Sequence, residues 1–286
     1  GGFVRMAGME DGDAEDPRGF NKKPIVARAL VIVAGPVMNF VLAALLHSAF
    51  VYYVGVAQTT PVLGDVPVRC PVTQAEPTST VACPAFAAGL RKGDRIVAID
   101  GKAVSQWDDI LALVKGSEGK AITFRYQRGS QTAETTVAPL FSDSRWMVGI
   151  QPSTKPESLG RALVRGPVLT AGMSASWIAS LKEMIVGRLK PEFSGPVGIT
   201  REIAEQASRG WDSLLLLTAF LSINLGMFNL LPIPALDGSR LVFMGVEAVR
   251  GRRLDPQREN MVHFVGFLLL IGLMVVITYS EVVTRR

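Results

Sequence analysis

The chain has 286 residues, 48% of them hydrophobic and only 19% charged, with a formal net charge of +5. A water-soluble domain carries about a quarter charged residues, so the shortfall excludes an ordinary soluble fold. The basic excess sits in short clusters beside apolar stretches, which reads as a membrane-topology signal and excludes a nucleic-acid partner.

Residues 1–23 are polar and rich in Gly and Asp, as a cytoplasmic loop or hairpin would be. The opening Gly1-Gly2-Phe3-Val4-Arg5-Met6 has neither an initiator Met nor a signal-peptide pattern and reads as the interior of a longer protein. Residues 29–64, 213–236 and 261–280 contain no Asp, Glu, Lys or Arg. Each reaches the roughly 20 apolar residues that span ~30 Å of hydrocarbon. They predict a transmembrane helix at 24–57, interrupted near its start by Gly35-Pro36. A second transmembrane segment is expected at 213–248, broken by prolines, and a third helix at 261–280.

Between the first two spans, residues 61–152 carry the alternation of a small α+β domain. Val62–Val66 reads as a strand, and Arg95–Asp100 as another that ends in an Asp100-Gly101 turn. Ser105 is expected to cap a helix running to about Val114. Ala121–Arg128 and Gln131–Ala138 form a hairpin around Arg128-Gly129-Ser130, and Trp146–Ile150 is a last strand. Residues 155–212 are then a linker built on an amphipathic interfacial helix over 166–181, with Trp177 inside it and Lys182 and Glu183 at its end.

Lys22, Lys23 and Arg28 precede the first span, and Arg250, Arg252, Arg253 and Arg258 fill the basic loop at 249–260. The positive-inside rule makes both clusters cytoplasmic. Residues from about 60 to 210 then lie outside, together with the C-terminus, where Arg285 and Arg286 run mildly against the rule. Cys70 and Cys83 both fall in that outer segment, flanking a Pro/Thr/Ser-rich loop. An oxidising compartment would permit a disulfide between them; two thiols without a role is the other reading.

The second span runs into Asn229-Leu230-Leu231-Pro232-Ile233-Pro234-Ala235-Leu236-Asp237-Gly238. Prolines remove backbone donors and break the helix. Irregular backbone at membrane depth is tolerated only where protein buries it or where it lines a wet cavity, and an ionisable residue there is a functional candidate. On placement alone, Asp237 divides evenly between a metal ligand and a helix cap or structural charge. Asn224 and Asn229 are candidates for binding a substrate or its oxyanion, or for helix–helix hydrogen bonds. Asn39 follows Gly35-Pro36 by a turn and either faces the same cavity or packs. His47 and His263 read as interior residues.

Several blocks coincide in order: Phe20-Asn21-Lys22-Lys23, Ala34-Gly35-Pro36-Val37-Met38-Asn39-Phe40, Ala87-Ala88-Gly89-Leu90-Arg91-Lys92-Gly93-Asp94-Arg95-Ile96, Ser194-Gly195-Pro196 and the proline-aspartate block. Together they resemble a bacterial site-2 protease, the intramembrane zinc metalloprotease of the sigma-E-regulator type. The resemblance implies a polytopic α-helical membrane protein with an inserted extracytoplasmic PDZ-like α+β domain. It implies Zn2+ held by Asp237 and by two histidines of a His-Glu-x-x-His helix whose glutamate takes a proton from water. The chain contains no such motif: neither His47 nor His263 has a histidine four residues on. The missing ligands are expected on an earlier helix, and the chain by itself is expected to be inactive.

The same resemblance implies a multi-pass protein of the bacterial inner membrane acting in regulated intramembrane proteolysis. Its substrate would be a single-span membrane protein such as an anti-sigma factor, trimmed first by a site-1 type protease. It places Pro232, Pro234, Asn229, Asn224 and Asn39 on the substrate path. Met147, Val148, Gly149 and Ile150 become the peptide-binding loop and strand of a circularly permuted PDZ domain, which either captures a peptide by strand addition or acts as a size filter. The rival reading is a membrane-anchored PDZ adaptor without peptidase activity. A transporter subunit would show paired repeats, and none is found.

Overall fold

The computed structural model describes residues 20–71, 80–142, 145–188, 195–252 and 255–283. Most of the loop expected at 1–23, the segment 72–79, Ser194, Arg253, Arg285 and Arg286 lie outside the described residues. The chain divides into an inserted unit, Tyr53–Glu157, and a helical unit formed by what precedes and follows it.

Helix α1 (Ile25–Tyr53) runs straight through Gly35-Pro36, so the interruption expected there does not occur. One proline costs a single backbone bond, whereas a break in hydrocarbon would strand several unpaired groups. Its buried residues Arg28, Ile32, Pro36, Ala43, His47 and Val51 recur at about one turn, which gives the helix a single protein-facing stripe.

The inserted unit holds a four-stranded antiparallel sheet in the order Lys102–Ala103, Arg95–Ile99, Ile122–Arg128, Gln131–Val137. Asp100 and Gly101 both take positive φ, the backbone that a tight two-residue hairpin turn requires. The short helix α2 (Pro84–Ala87) and helix α3 (Trp107–Gly116) accompany the sheet. Leu63, Leu90, Ile96, Ile99, Ile110 and Phe124 are fully buried together in its core. Ser105 is not the cap of α3. That place belongs to Gln106, and Ser105 instead donates its N–H and hydroxyl to Asp109. Asp94 of the Gly-Asp turn is wholly buried and accepts bonds from Arg128 Nε and Nη2 and from the Arg91 N–H. Its carboxylate therefore ties the turn to the neighbouring strand.

The chain then continues as α4 (Leu159–Ile185), α5 (Pro196–Arg209), α6 (Trp211–Leu230), α7 (Asp237–Arg250) and α8 (Pro256–Val283). Among the described residues, three segments are long and apolar enough to cross a membrane: Ile25–Tyr53, Trp211–Leu230 and Glu259–Val283. Helix α4 is longer than the interfacial helix expected and is not a free surface helix. Its Gly166 lies against Ser48, Thr170 Oγ1 meets His47 Nδ1 at 2.9 Å, and Trp177 Nε1 donates to Asn224 Oδ1 at 2.9 Å. At the start of α5, the N–H groups of Gly195 and Gly198 donate to Glu281 of α8, a carboxylate at a helix N-terminus.

Candidate active site at the start of α7

The expected span at 213–248 resolves into α6, a six-residue connection over 231–236 and α7. Every N–H of that connection is used. Leu231 donates to Phe228 O, Ile233 to Leu231 O, Leu236 to Ile233 O, and Ala235 to His263 Nδ1 at 3.2 Å. Pro232 and Pro234 have none to give. The loop can therefore offer an extended strand only its carbonyl oxygens.

Asp237 is the first residue of α7, where the helix dipole favours a negative charge. It is half-buried, and neither oxygen accepts a hydrogen bond from the described residues. A Cβ on Gly35 of α1 would lie 3.9 Å from Asp237 Oδ2, so the carboxylate looks onto a position with no side chain. Gly238 is buried where α7 turns back beneath the end of α6; a Cβ there would overlap the Leu230 and Leu231 carbonyls. That close approach is why glycine follows the aspartate. Arg28 Nη2 reaches Glu247 Oε1 at 2.6 Å in a buried pair, which fastens α1 to α7 at the end bearing both basic clusters.

The other candidates separate. Asn39 sits one turn after Gly35 and packs on Gly226 of α6, while its carbonyl accepts from Ser222 Oγ. Asn224 accepts from Trp177 Nε1 and donates to the Phe220 carbonyl at 2.8 Å, a helix–helix contact that leaves one N–H and one lone pair of the amide. Asn229 is half-buried in the last turn of α6. Pro232 is exposed, and Pro234 is half-buried against Gly266 of α8. His47 is buried against Thr170.

In the inserted unit, Arg145–Met147 pairs with Leu140–Ser142, but Val148, Gly149 and Ile150 do not continue the strand. The Val148 carbonyl accepts the Ala85 N–H, and Gly149, at φ +75°, lies against the disulfide that joins Cys70 and Cys83.

A half-buried carboxylate with unengaged oxygens suits one position of a zinc site. Among the described residues, no group of three or more His, Cys, Asp or Glu side chains converges to complete one. His263, read from the sequence only as an interior residue, has a contact that the sequence does not show. Its contact is with a backbone N–H 28 positions away, which leaves no residue-type signature in the chain.

The sequence model of Peptidase family M50 matches residues 1–273. A zinc metalloprotease RasP of Geobacillus kaustophilus is 34% identical over 93% of this chain and 61% of its own length. The regulator of sigma-W protease RasP of Bacillus subtilis is 34% identical over 98% of this chain and 64% of its own. A further zinc metalloprotease RasP, of Oceanobacillus iheyensis, is 34% identical over 93% and 62%. The chain thus spans less than two thirds of the length of these curated relatives.

Proposed function

The chain belongs to Peptidase family M50, and on that premise we propose that it forms the Asp237-bearing part of an intramembrane zinc endopeptidase of the site-2 protease type. The observation that carries this reading is the Asp237 carboxylate, unengaged by hydrogen bonds among the described residues and facing side-chain-free Gly35. A purely structural aspartate, as in an adaptor without peptidase activity, would have partners of its own. The other two zinc ligands come from a His-Glu-x-x-His helix outside these 286 residues, a motif absent from them.

The substrate is the transmembrane segment of a single-span membrane protein such as an anti-sigma factor, shortened beforehand by a site-1 type protease. A membrane helix hides its amides in internal hydrogen bonds, so the substrate must unwind before water can attack. The 231–236 loop receives the unwound strand through its carbonyl oxygens, with Asn229 positioning it; Pro232 and Pro234 keep that stretch from becoming helix. Bound zinc supplies the Lewis acidity that activates water at neutral pH.

The protein lies in the bacterial inner membrane, with Tyr53–Glu157 outside; the Cys70–Cys83 disulfide supports that placement. That unit is a PDZ-like gate. Since the Val148 carbonyl is already bonded and Gly149 is backed by the disulfide, it acts as a size filter on substrates more than as a strand-adding receptor.

Asp237→Ala in the complete polypeptide is expected to abolish cleavage of a pre-trimmed substrate while membrane insertion continues. Cleavage at the wild-type rate would refute the assignment.

A further inference from the structure

Helix α8 looks at first like a plain lipid anchor: only 6% of its apolar window is buried. Its far end is tied to α5 through Glu281, while the contacts of its first turns converge on the proline loop. His263 Nδ1 accepts the Ala235 N–H at 3.2 Å, and its ring stands edge-on to Phe243 of α7 with centroids 5.8 Å apart. One turn later, Gly266 is so close to Pro234 that a Cβ would overlap that residue's ring and carbonyl group. Between them, Ala235 is held at φ +77°, a left-handed conformation that costs an L-residue about 1 kcal/mol or more. Asp237 follows two residues later.

An accepting Nδ1 places the proton of the neutral imidazole on Nε2. That nitrogen is buried without a hydrogen-bond partner among the described residues, 4.0 Å from Glu259 Oε1. Leaving a buried donor unbonded is costly.

We propose that His263 is a positioning residue for the metal centre: with Gly266 behind Pro234, its Nδ1 holds Ala235 in the left-handed conformation that aims the Asp237 carboxylate. The idea rests on the zinc-site reading of Asp237 and adds a residue that touches neither metal nor substrate. Groups that orient a metal ligand in this way change metal affinity by about 10- to 100-fold when altered.

Zinc affinity of the complete polypeptide, purified in detergent and titrated against a competing chelator, tests it. An Asn side-chain oxygen can stand where Nδ1 stands, whereas a Gln oxygen reaches the place of Nε2. His263→Asn is therefore expected to keep zinc affinity within about threefold of wild type, and His263→Gln to weaken it by about 10-fold or more. Equal affinity in both variants, whether preserved or lost, would overturn the proposal, because the acceptor at Nδ1 would then not matter. Should His263→Gln fail to insert, Gly266→Ala decides: it pushes on Pro234 without touching the imidazole, and unchanged zinc affinity overturns the proposal. Asp237→Ala separates the two levels of the account. If that variant keeps zinc, the site reading fails; if it loses zinc while His263→Gln keeps it, only the role of His263 fails.

Discussion

In the inserted unit, Phe124, Ile96, Ile99 and Leu90 are fully buried around one sheet, whereas along α8 Leu268, Leu269, Val275 and Val276 are all exposed. The shared core of α1 and α6 is small, with Ala43, Ala219 and Ile223 at its centre. Folding in water is driven by hiding apolar area. In lipid that drive vanishes, and close approach at small residues and polar contacts takes over. Gly166 on Ser48, Gly226 on Phe40 and Asn39, and Gly266 on Pro234 are such approaches. His47–Thr170, Trp177–Asn224, Ser222–Asn39 and Arg28–Glu247 are the polar contacts. The loop that presents Asp237 depends on this second kind of bonding, so it is held by a few directional contacts and not by bulk burial.

The contrast is sharpest if equal truncations are made in both regions. Phe124→Ala in the inserted unit should cost about 3–5 kcal/mol, while Leu269→Ala on α8 should stay within about 0.5 kcal/mol; thermal melts in detergent compare them directly. A large loss at Leu269 would break the comparison. Smaller is the effect of replacing Cys70 and Cys83 together by Ser. The bridge joins positions separated by 13 residues, and its removal is expected to cost about 3 kcal/mol. Reductant should reproduce that shift in wild type and do nothing to the double variant.

The smallest effect concerns acid. The Ser105 and Gln106 N–H groups, then the Ser105 hydroxyl, hold the Asp109 carboxyl below its ordinary range. A depressed folded value means that its stabilisation is present above about pH 3.9, the unfolded value, and is lost as pH falls through the folded one. Wild type should therefore exceed Asp109→Asn in stability near neutrality, and the gap should close in acid. A gap that persists unchanged below pH 3 would contradict this.

Much of the architecture could be read along the chain because its signals are local. Uncharged runs mark the segments that can cross a membrane, and Asp100-Gly101 marks a hairpin. Where the reading failed, distant contacts decided. Gly35-Pro36 looked like a break, yet Pro36 is buried within a continuous α1. The contacts of the helix at 166–181 could not be read either, because its partners His47 and Asn224 lie far off in sequence. Asp237 was legible as a candidate from the prolines before it, with placement alone leaving its role even between metal ligand and structural charge. The imidazole that steadies its loop was not, since a bond to a backbone N–H can be made from almost any sequence context.

The most direct test is the zinc content of the complete polypeptide, wild type against Asp237→Ala, with both proteins shown to be inserted and folded. Stoichiometric zinc is expected in the first and its loss in the second. Full zinc retained without the Asp237 carboxylate would contradict it.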